Sequence, residues 1–268
     1  MKIKENMLSI EKIDENNRQW AVGQLRRDVI RHVFAFYDLQ YDLKNTTMYA
    51  AVENGMLRGY ILVYQALEFP SVVLEADPEA SKRLIEHAPT GNFIMHAPAD
   101  LLPEIEDKFP NAKHYVENWM RIKKGEAKLF RSENVRKLDP ADGSKLAALL
   151  SSRLDRPEGA AEKYSDWIRR MQMYGVFGDG ELVAYAGSFI QTPQVWMIGG
   201  VYTHPQYRNR GYATLATSAI TEEALGKSDS AALFARQDNY WAIRAYEKIG
   251  YRKIGERIWI DVGTGIKP

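Results

Sequence analysis

The sequence predicts an α+β fold (α/β mixed) built from two similar halves. Apolar residues recur at helical spacing in some segments and form short β-type runs in others, so both helices and strands should build the core. The dipeptides Asn54-Gly55 and Asp179-Gly180 each lie between two β-type runs, which is the strongest short-range signal for a β-hairpin. Each half should therefore contain at least one antiparallel strand pair.

The first half is predicted to begin with helical structure and to continue mainly as strands. The helical rhythm covers residues 8–45, and two shorter helices are expected at 78–87 and 99–109. Strands are predicted at 47–53, 57–64, 71–76, 92–96 and 114–122. The polar stretch 123–126 is the predicted boundary, which gives domains at 1–126 and 127–268.

The second half is predicted to alternate strands and helices up to its end. Helices are expected around Leu146–Leu150, at 160–173, from the loop near 211 to about 226, and at 240–249, where Gly250 occupies the usual position after a helix. Strands are predicted at 135–138, 174–177, 182–190, 195–203, 231–235 and 251–262.

The two halves show an internal repeat. Four residues after each hairpin glycine comes a small residue followed by tyrosine, at 59–60 and at 184–185. Residues 76–78 and 203–205 both end in proline between a predicted strand and a predicted helix. We interpret these matches as the duplication of one unit. The alternative is chance agreement, because such turn chemistry is common.

Composition excludes several classes of function. The chain has 268 residues, no cysteine and a net charge of +1, which argues against disulfides, thiolate catalysis and a general nucleic-acid or membrane partner. The five histidines lack metal-ligand spacing, so no metal is expected. Residues 1–6 lack the apolar core of a signal peptide, and no apolar run approaches the ~20 residues that span a bilayer. We therefore expect a cytoplasmic protein.

The stretch 201–216 is the strongest candidate for a ligand site. It reads as a strand end, a basic loop with glycine at 211, and the start of a long helix. The first turn of a helix has unpaired N–H groups and a partial positive charge, so it is suited to an anion. The alternative is a turn that merely needs a glycine. The counterpart at 78–83 has no glycine and carries Glu79, so the first half is not expected to bind the same anion.

Two segments in this half resemble signatures of the GNAT acyltransferase superfamily. Residues 208–213 (Arg-Asn-Arg-Gly-Tyr-Ala) are similar to the family's pyrophosphate loop, Arg/Gln-x-x-Gly-x-Gly/Ala. Residues 239–251 are similar to its second signature, with Asn, then Ala, Tyr and Gly-aromatic at matching intervals. The resemblance covers residues 133–261, and the first half looks like a degenerate copy. It implies tandem GNAT-like domains, each a mixed, mostly antiparallel central sheet flanked by helices.

The resemblance also implies a coenzyme A site. The residues carried over to it are Val201, Tyr202, Thr203, Arg208, Asn209, Arg210, Gly211, Tyr212, Ala213, Thr214 and Asn239. Arg208 and Arg210 either steer the pyrophosphate or are solvated loop charges.

Paired glycines at 199–200 predict a bulge in strand 195–203. In the family, two strands separate here so that pantetheine can pair with the main chain, which points to Val201 and Thr203. An N–H near Gly200 or Val201 would then be free to stabilise an oxyanion. The alternative is a bulge that only curves the sheet.

Asn239 and Tyr246 each have two possible interpretations. Asn239 can cap the helix that follows it, or contact pantetheine as in the family. Tyr246 faces inward by its spacing, which is typical of a core tyrosine, whereas the resemblance makes it the acid that protonates the leaving thiolate. No general base is visible, because residues 195–201 contain no carboxylate. His204 and a water relay are the remaining options.

The predicted activity is transfer of an acyl group, most simply acetyl, from acyl-CoA to a primary amine. Without cysteine to carry the acyl group, the small-molecule or peptide amine should attack directly in a ternary complex. Residues 153–160 and the first half are expected to form the acceptor side. The alternative is a non-catalytic acyl-CoA-binding sensor. Nucleotide binding is disfavoured because no Gly-Lys-Ser/Thr follows the loop.

Overall fold

The structure is a computed structural model that describes residues 8–153 and 159–266. The contacts within the structure divide the chain into two compact units. The chain passes from the first unit to the second after Glu117 and returns to the first after Gly255. The first unit contains the residues up to Glu117 and those from Glu256 onward, and the second contains Asn118–Gly255. The predicted division into domains 1–126 and 127–268 stays a prediction.

The first unit is a mixed sheet with four helices. Its strands are β1 (Ser9–Ile13), β2 (Thr46–Glu53), β3 (Met56–Tyr64), β4 (Ser71–Ala76), β5 (Phe93–Ala97), the start of β6 (Lys113–Lys123) and most of β12 (Arg252–Val262). Its helices are α1 (Arg18–Leu25), α2 (Val33–Tyr41), α3 (Pro78–Leu84) and α4 (Leu102–Lys108). Strands β1 to β5 lie side by side in chain order, followed by β12. Strands β4 and β5 are parallel, whereas the pairs β1–β2, β2–β3, β3–β4 and β5–β12 are antiparallel.

The helical prediction for residues 8–45 is wrong at its beginning. Ser9–Ile13 is a strand that pairs antiparallel with β2, with Ile10 opposite Ala51. Pairing with the neighbouring strand, rather than the intrinsic preference of a five-residue segment, determines its conformation. The remainder is two separate helices, α1 and α2, joined through a short 3₁₀ turn.

The second unit repeats the same kind of architecture. Its strands are β7 (Val135–Lys137), β8 (Gln172–Gly178), β9 (Glu181–Gln191), β10 (Val195–Thr203), β11 (Ser230–Arg236) and the end of β6. Its helices are α5 (Gly143–Ser151), α6 (Ala161–Arg170), α7 (Tyr212–Lys227) and α8 (Tyr240–Ile249). Strands β7, β8, β9 and β10 are successive antiparallel neighbours, whereas β10 and β11 are parallel. The predicted α+β class is confirmed.

One face of α7 forms the centre of the second unit's core. Ala216, Ile220 and Ala224 are fully buried and belong to the same apolar cluster as Trp196 and Ile198 of β10. This spacing of four residues places all three side chains on one side of the helix, as the sequence predicts. The packing fixes the start of α7 against the end of β10, where the candidate site lies.

Within residues 8–153 and 159–266, none of the helices combines the length and apolarity needed to cross a bilayer.

Candidate active site

Strand β10 contains the predicted bulge. Gly199 pairs with Gly187 and Tyr202 pairs with Tyr185, so three steps along β10 match only two along β9. The extra residue is accommodated at Gly200, whose φ of 65° lies in the left-handed region that glycine adopts readily. The bulge turns the backbone of β10 immediately before residues 201–203.

Strands β10 and β11 separate before either one ends. Their parallel register runs from Val195–Ser230 to Met197–Ala232, although β10 continues to Thr203. The edge of β10 from Ile198 onward therefore lies outside this register. Main-chain groups on such an edge can pair with an extended ligand as an added strand would.

The loop after β10 leads into a helix end that no side chain caps. Asn209 and Gly211 have φ values of 64° and 79°, and Gly211 is the N-cap of α7. No side chain caps this end, and the first turn carries no acidic residue. The N–H groups of the first helical residues, Tyr212, Ala213 and Thr214, have no intrahelical acceptor in such an end. No protein atom lies within 4 Å of the place where a side chain on Gly211 would begin, so an anion can approach.

The corresponding helix of the first unit begins differently. Asp77 caps α3 by accepting a hydrogen bond from the Ala80 N–H at 2.9 Å. Pro78 supplies no N–H, and Glu79 adds a negative charge to the first turn. This helix end is therefore capped by its own chain, unlike the start of α7.

Both loop arginines lie beside tyrosine rings. The Arg208 guanidinium is 6.0 Å from the ring centre of Tyr202, and its Nε donates to the Thr203 carbonyl at 3.4 Å. The Arg210 guanidinium is 5.3 Å from the ring centre of Tyr207. These contacts hold two positive charges next to the uncapped end of α7.

Thr203 and Asn239 each offer a polar group to a ligand. The Thr203 hydroxyl is buried and has no hydrogen-bond partner within the described chain. The Asn239 side-chain oxygen accepts from the Ala242 N–H at 3.2 Å, so the predicted helix cap is present. The nitrogen of the same amide has no hydrogen-bond partner among residues 8–153 and 159–266, so this donor is unused by the described chain.

Tyr246 lies on the inner face of α8. Its side chain is 6% exposed and packs in the same apolar cluster as Val201 and Tyr212. Burial raises the pKa of the Tyr246 hydroxyl above its ordinary value, so the phenol stays protonated at neutral pH. Tyr246, Val201 and Tyr212 thus contribute to one apolar cluster from three different elements. A protonated phenol is chemically able to donate a proton.

The profile of the Acetyltransferase (GNAT) family matches residues 145–251, which include the bulge, the loop and Tyr246. This segment, which is less than half of the chain, resembles the GNAT family. Solved structures agree in fold over nearly the whole length, although their sequences are far apart.

A tandem GNAT protein from the clavulanic acid biosynthesis pathway is 13% identical, with a TM-score of 0.58, over 96% of this chain and 99% of the other. A GCN5-related N-acetyltransferase from Kribbella flavida is 17% identical, with a TM-score of 0.62, over 87% and 96%. A Drosophila protein solved by structural genomics is 13% identical, with a TM-score of 0.75, over 96% and 99%. No curated protein matches the sequence. These likenesses show a tandem GNAT-like fold.

His204 is held in a turn of this GNAT unit. Its Nδ1 accepts the Gln206 N–H at 3.3 Å, and its ring lies edge-on to Tyr207 at 5.7 Å. Through this bond His204 is the N-cap of the short 3₁₀ turn Pro205–Tyr207. Within the described residues, no group of three or more His, Asp or Glu side chains is placed to hold a metal.

Sequence reasoning missed two neighbours of the GNAT site. The Tyr185 hydroxyl is 3.0 Å from where a side chain on Gly200 would begin, so it lies directly beside the bulge. The Ser152 hydroxyl is 2.9 Å from that of Tyr202. Tyr185 was visible only as part of the internal repeat, and nothing in the sequence links Ser152 to Tyr202. Of the predicted acceptor segment, residues 154–158 lie outside the described residues.

Proposed function

We propose that this protein is an acyl-CoA-dependent N-acyltransferase that transfers an acetyl group from acetyl-CoA to a primary amine. The observation that supports this most strongly is the uncapped N-terminus of α7, placed directly after a bulged strand whose edge leaves its parallel register. A helix end of this kind suits a pyrophosphate, and the strand edge suits the amide-rich pantetheine arm.

In this proposal, the donor lies along the end of β10 and the start of α7. The N–H groups of residues 209–214 hold the pyrophosphate, and Arg208 and Arg210 add positive charge. The main chain of Val201 and Thr203 and the free amide nitrogen of Asn239 contact pantetheine, with Tyr202 between them at the strand end. The partnerless Thr203 hydroxyl and the open space at Gly211 fit a ligand here.

The chemistry proceeds directly between the two substrates. The amine nitrogen attacks the thioester carbonyl carbon, a C–N bond forms, and the C–S bond breaks. A main-chain N–H at the bulge, near Gly200 or Val201, stabilises negative charge on the carbonyl oxygen. Tyr246 donates its proton to the departing sulfur, and water carries the proton lost by the amine back to solvent and to the tyrosinate. A general acid of this kind contributes about 10²–10⁴ in rate.

A second candidate is an acyl-CoA-binding sensor without turnover. The observation that favours it is the absence of a carboxylate from residues 195–201 of β10, where a base would be convenient. The protonated Tyr246 favours the enzyme instead, because a sensor has no need for a buried acid at this place.

Release of coenzyme A from acetyl-CoA across a panel of small amines and short peptides tests the proposal. Wild type should release coenzyme A with at least one acceptor, and Tyr246→Phe should lower kcat by about 10²–10⁴ while the KM for acetyl-CoA stays the same. Tyr251→Phe is the matched control, because its hydroxyl bonds Thr221 in the core and should affect stability but not turnover. Equal rates for wild type and Tyr246→Phe would remove the acid role. Binding without any release would favour the sensor.

A further inference from the structure

The first unit contains a polar cavity of about 440 Å³ at the end of β4. One wall is formed by β3, β4 and the residues that start α3, and another by the helical segment around residues 24–32. The side chains that matter for its chemistry are Arg27, Asp28, Arg31, Tyr60, Glu75 and Asp100. Ligand pockets commonly measure about 300–1,000 Å³, so this cavity has the size for a small molecule.

A buried carboxylate organises the floor of this cavity. Glu75 is 3% exposed, and its Oε1 accepts from both Nε and Nη2 of Arg31, at 2.8 and 2.5 Å. Its other oxygen lies 2.5 Å from Nη2 of Arg257, which is itself 6% exposed. Buried ion pairs add little net stability relative to apolar packing, because removing both charges from water is costly. A buried charge network that opens into a cavity is therefore more readily explained by a role in binding.

Glu75 leaves part of Arg31 available. The Arg31 side chain is 55% exposed, and its Nη1 has no partner among residues 8–153 and 159–266. Arg27 also lines the cavity, is exposed, and has no hydrogen bond or ion pair within the described part of the chain. A guanidinium whose one edge is fixed presents its other edge in a set direction, which is the arrangement that recognises a carboxylate.

The same cavity also carries carboxylates. Asp100 has no ion pair or hydrogen bond within the described residues, and Asp28 uses Oδ1 for the Arg31 N–H at 3.1 Å. These two acidic groups oppose a polyanion such as a pyrophosphate. They can receive an ammonium group instead.

Arg58 also lines the cavity, but it pairs with Glu53 and Asp77, and two further polar groups are His32 and Tyr60. The His32 Nδ1 is 3.2 Å from the hydroxyl of Tyr60, which is fully buried. Burial lowers the pKa of His32, so the ring is neutral at physiological pH. The cavity therefore presents cationic and anionic groups with unused hydrogen-bonding capacity side by side.

We propose that this cavity binds a small zwitterion, a free amino acid or a molecule of similar size that carries both a carboxylate and an ammonium group. Arg27 and Arg31 hold the carboxylate, and Asp28 and Asp100 hold the ammonium. This site lies wholly within the first unit and does not depend on acyl transfer in the second.

The first experiment uses the full chain and the twenty common amino acids, each at millimolar concentration, in thermal-shift assays followed by calorimetry. At least one amino acid should bind saturably. Its decarboxylated amine and its deaminated acid should each bind at least about tenfold more weakly, since each lacks one of the two recognised charges. Failure of all twenty to bind would overturn the proposal, as would an amine or acid that binds as tightly as the amino acid.

Variants then locate the site. Arg27→Gln and Asp100→Asn should each weaken binding by at least about tenfold with little change in Tm, because neither residue holds the fold together. Arg26→Gln is the control, since Arg26 is a neighbouring exposed arginine that lies on Phe36 and does not line the cavity. Amino-acid binding that survives both Arg27→Gln and Asp100→Asn belongs to another place, such as the acceptor side of the second unit, and would refute this one.

Discussion

The oxygen and the nitrogen of the Asn239 side-chain amide differ in their hydrogen bonding. The oxygen caps α8 through the Ala242 N–H, whereas the nitrogen has no partner within the described chain. The cap and the ligand contact, which sequence alone presents as alternatives, are therefore compatible. They can be separated by substitution, because serine keeps a capping oxygen and loses the amide donor.

We predict that Asn239→Ser keeps the stability of wild type to within about 0.5 kcal/mol but raises the KM for acetyl-CoA, whereas Asn239→Ala also loses about 1 kcal/mol. Chemical denaturation and steady-state kinetics measure the two effects separately. A KM for Asn239→Ser equal to that of wild type would show that the residue is only a cap.

Asp38 on α2 gives a pH-dependent prediction. Burial and the neighbouring charge of Asp42 raise the pKa of Asp38 to about 7. The folded state therefore favours the protonated acid, and stability is lost as pH rises from the ordinary pKa near 3.8 through about 7.

Replacing Asp38 by Asn removes that loss. The gain in the free energy of unfolding should be near zero at about pH 4 and should rise to at most roughly 4 kcal/mol by about pH 8, with a parallel rise in Tm. Thermal melts at several pH values measure it, and Asp107→Asn, on the exposed side of α4, controls for the removal of one carboxylate. A gain from Asp38→Asn that is largest at acid pH would reverse the sign and contradict the assignment.

Among the elements, those specified by local backbone chemistry were predictable from sequence. The hairpins at 54–55 and 179–180 use an Asn or Asp and a glycine at positive φ, as the dipeptides predict. The bulge in β10 follows in the same way from Gly199-Gly200. The start of α7 was predictable because Gly211 is followed closely by apolar residues at a spacing of four, which is typical of one face of a helix.

Elements that depend on distant partners were not predictable. Strand β1 exists because β2 is beside it, and the end of α6 at Arg170, three residues before the predicted end, is set by the entry of Gln172 into β8. The position of Tyr185 beside Gly200 requires the cross-strand register of β9 and β10. The Glu75 network joins Arg31 to Arg257 across most of the chain. No local pattern encodes such pairings.

The bulge of β10 should be sensitive to a single methyl group. In Gly200→Ala, the new side chain would meet the Tyr185 hydroxyl at 3.0 Å, and the residue would have to keep a φ of 65°. We expect a loss of about 1–2 kcal/mol in stability and at least about tenfold in kcat, because the bulge N–H groups would move. Gly55→Ala has comparable backbone strain in open space and should lose only stability. Wild-type kcat in Gly200→Ala would argue against a catalytic bulge.

At the scale of the whole molecule, the two units share a plan but differ at one helix end. In each unit the parallel strand pair stops before its strands end, at Val73–His96 in the first and at Met197–Ala232 in the second. Only in the second does the following helix begin without a side-chain cap, because Asp77 closes α3. This difference predicts one acyl-CoA site in a chain with two GNAT-like units. The cavity of the first unit, with charges of both signs, suits a different ligand.

The central claim is that one acyl-CoA binds per chain, at the start of α7. Calorimetric titration with acetyl-CoA should give a stoichiometry of one for wild type and no measurable binding for Gly211→Glu, because a carboxylate at positive φ would fill the anion site. Gly55→Glu, which places the same residue at a similar φ in open space at the hairpin of the first unit, should bind like wild type. Two sites per chain, or unchanged binding in Gly211→Glu, would contradict the claim.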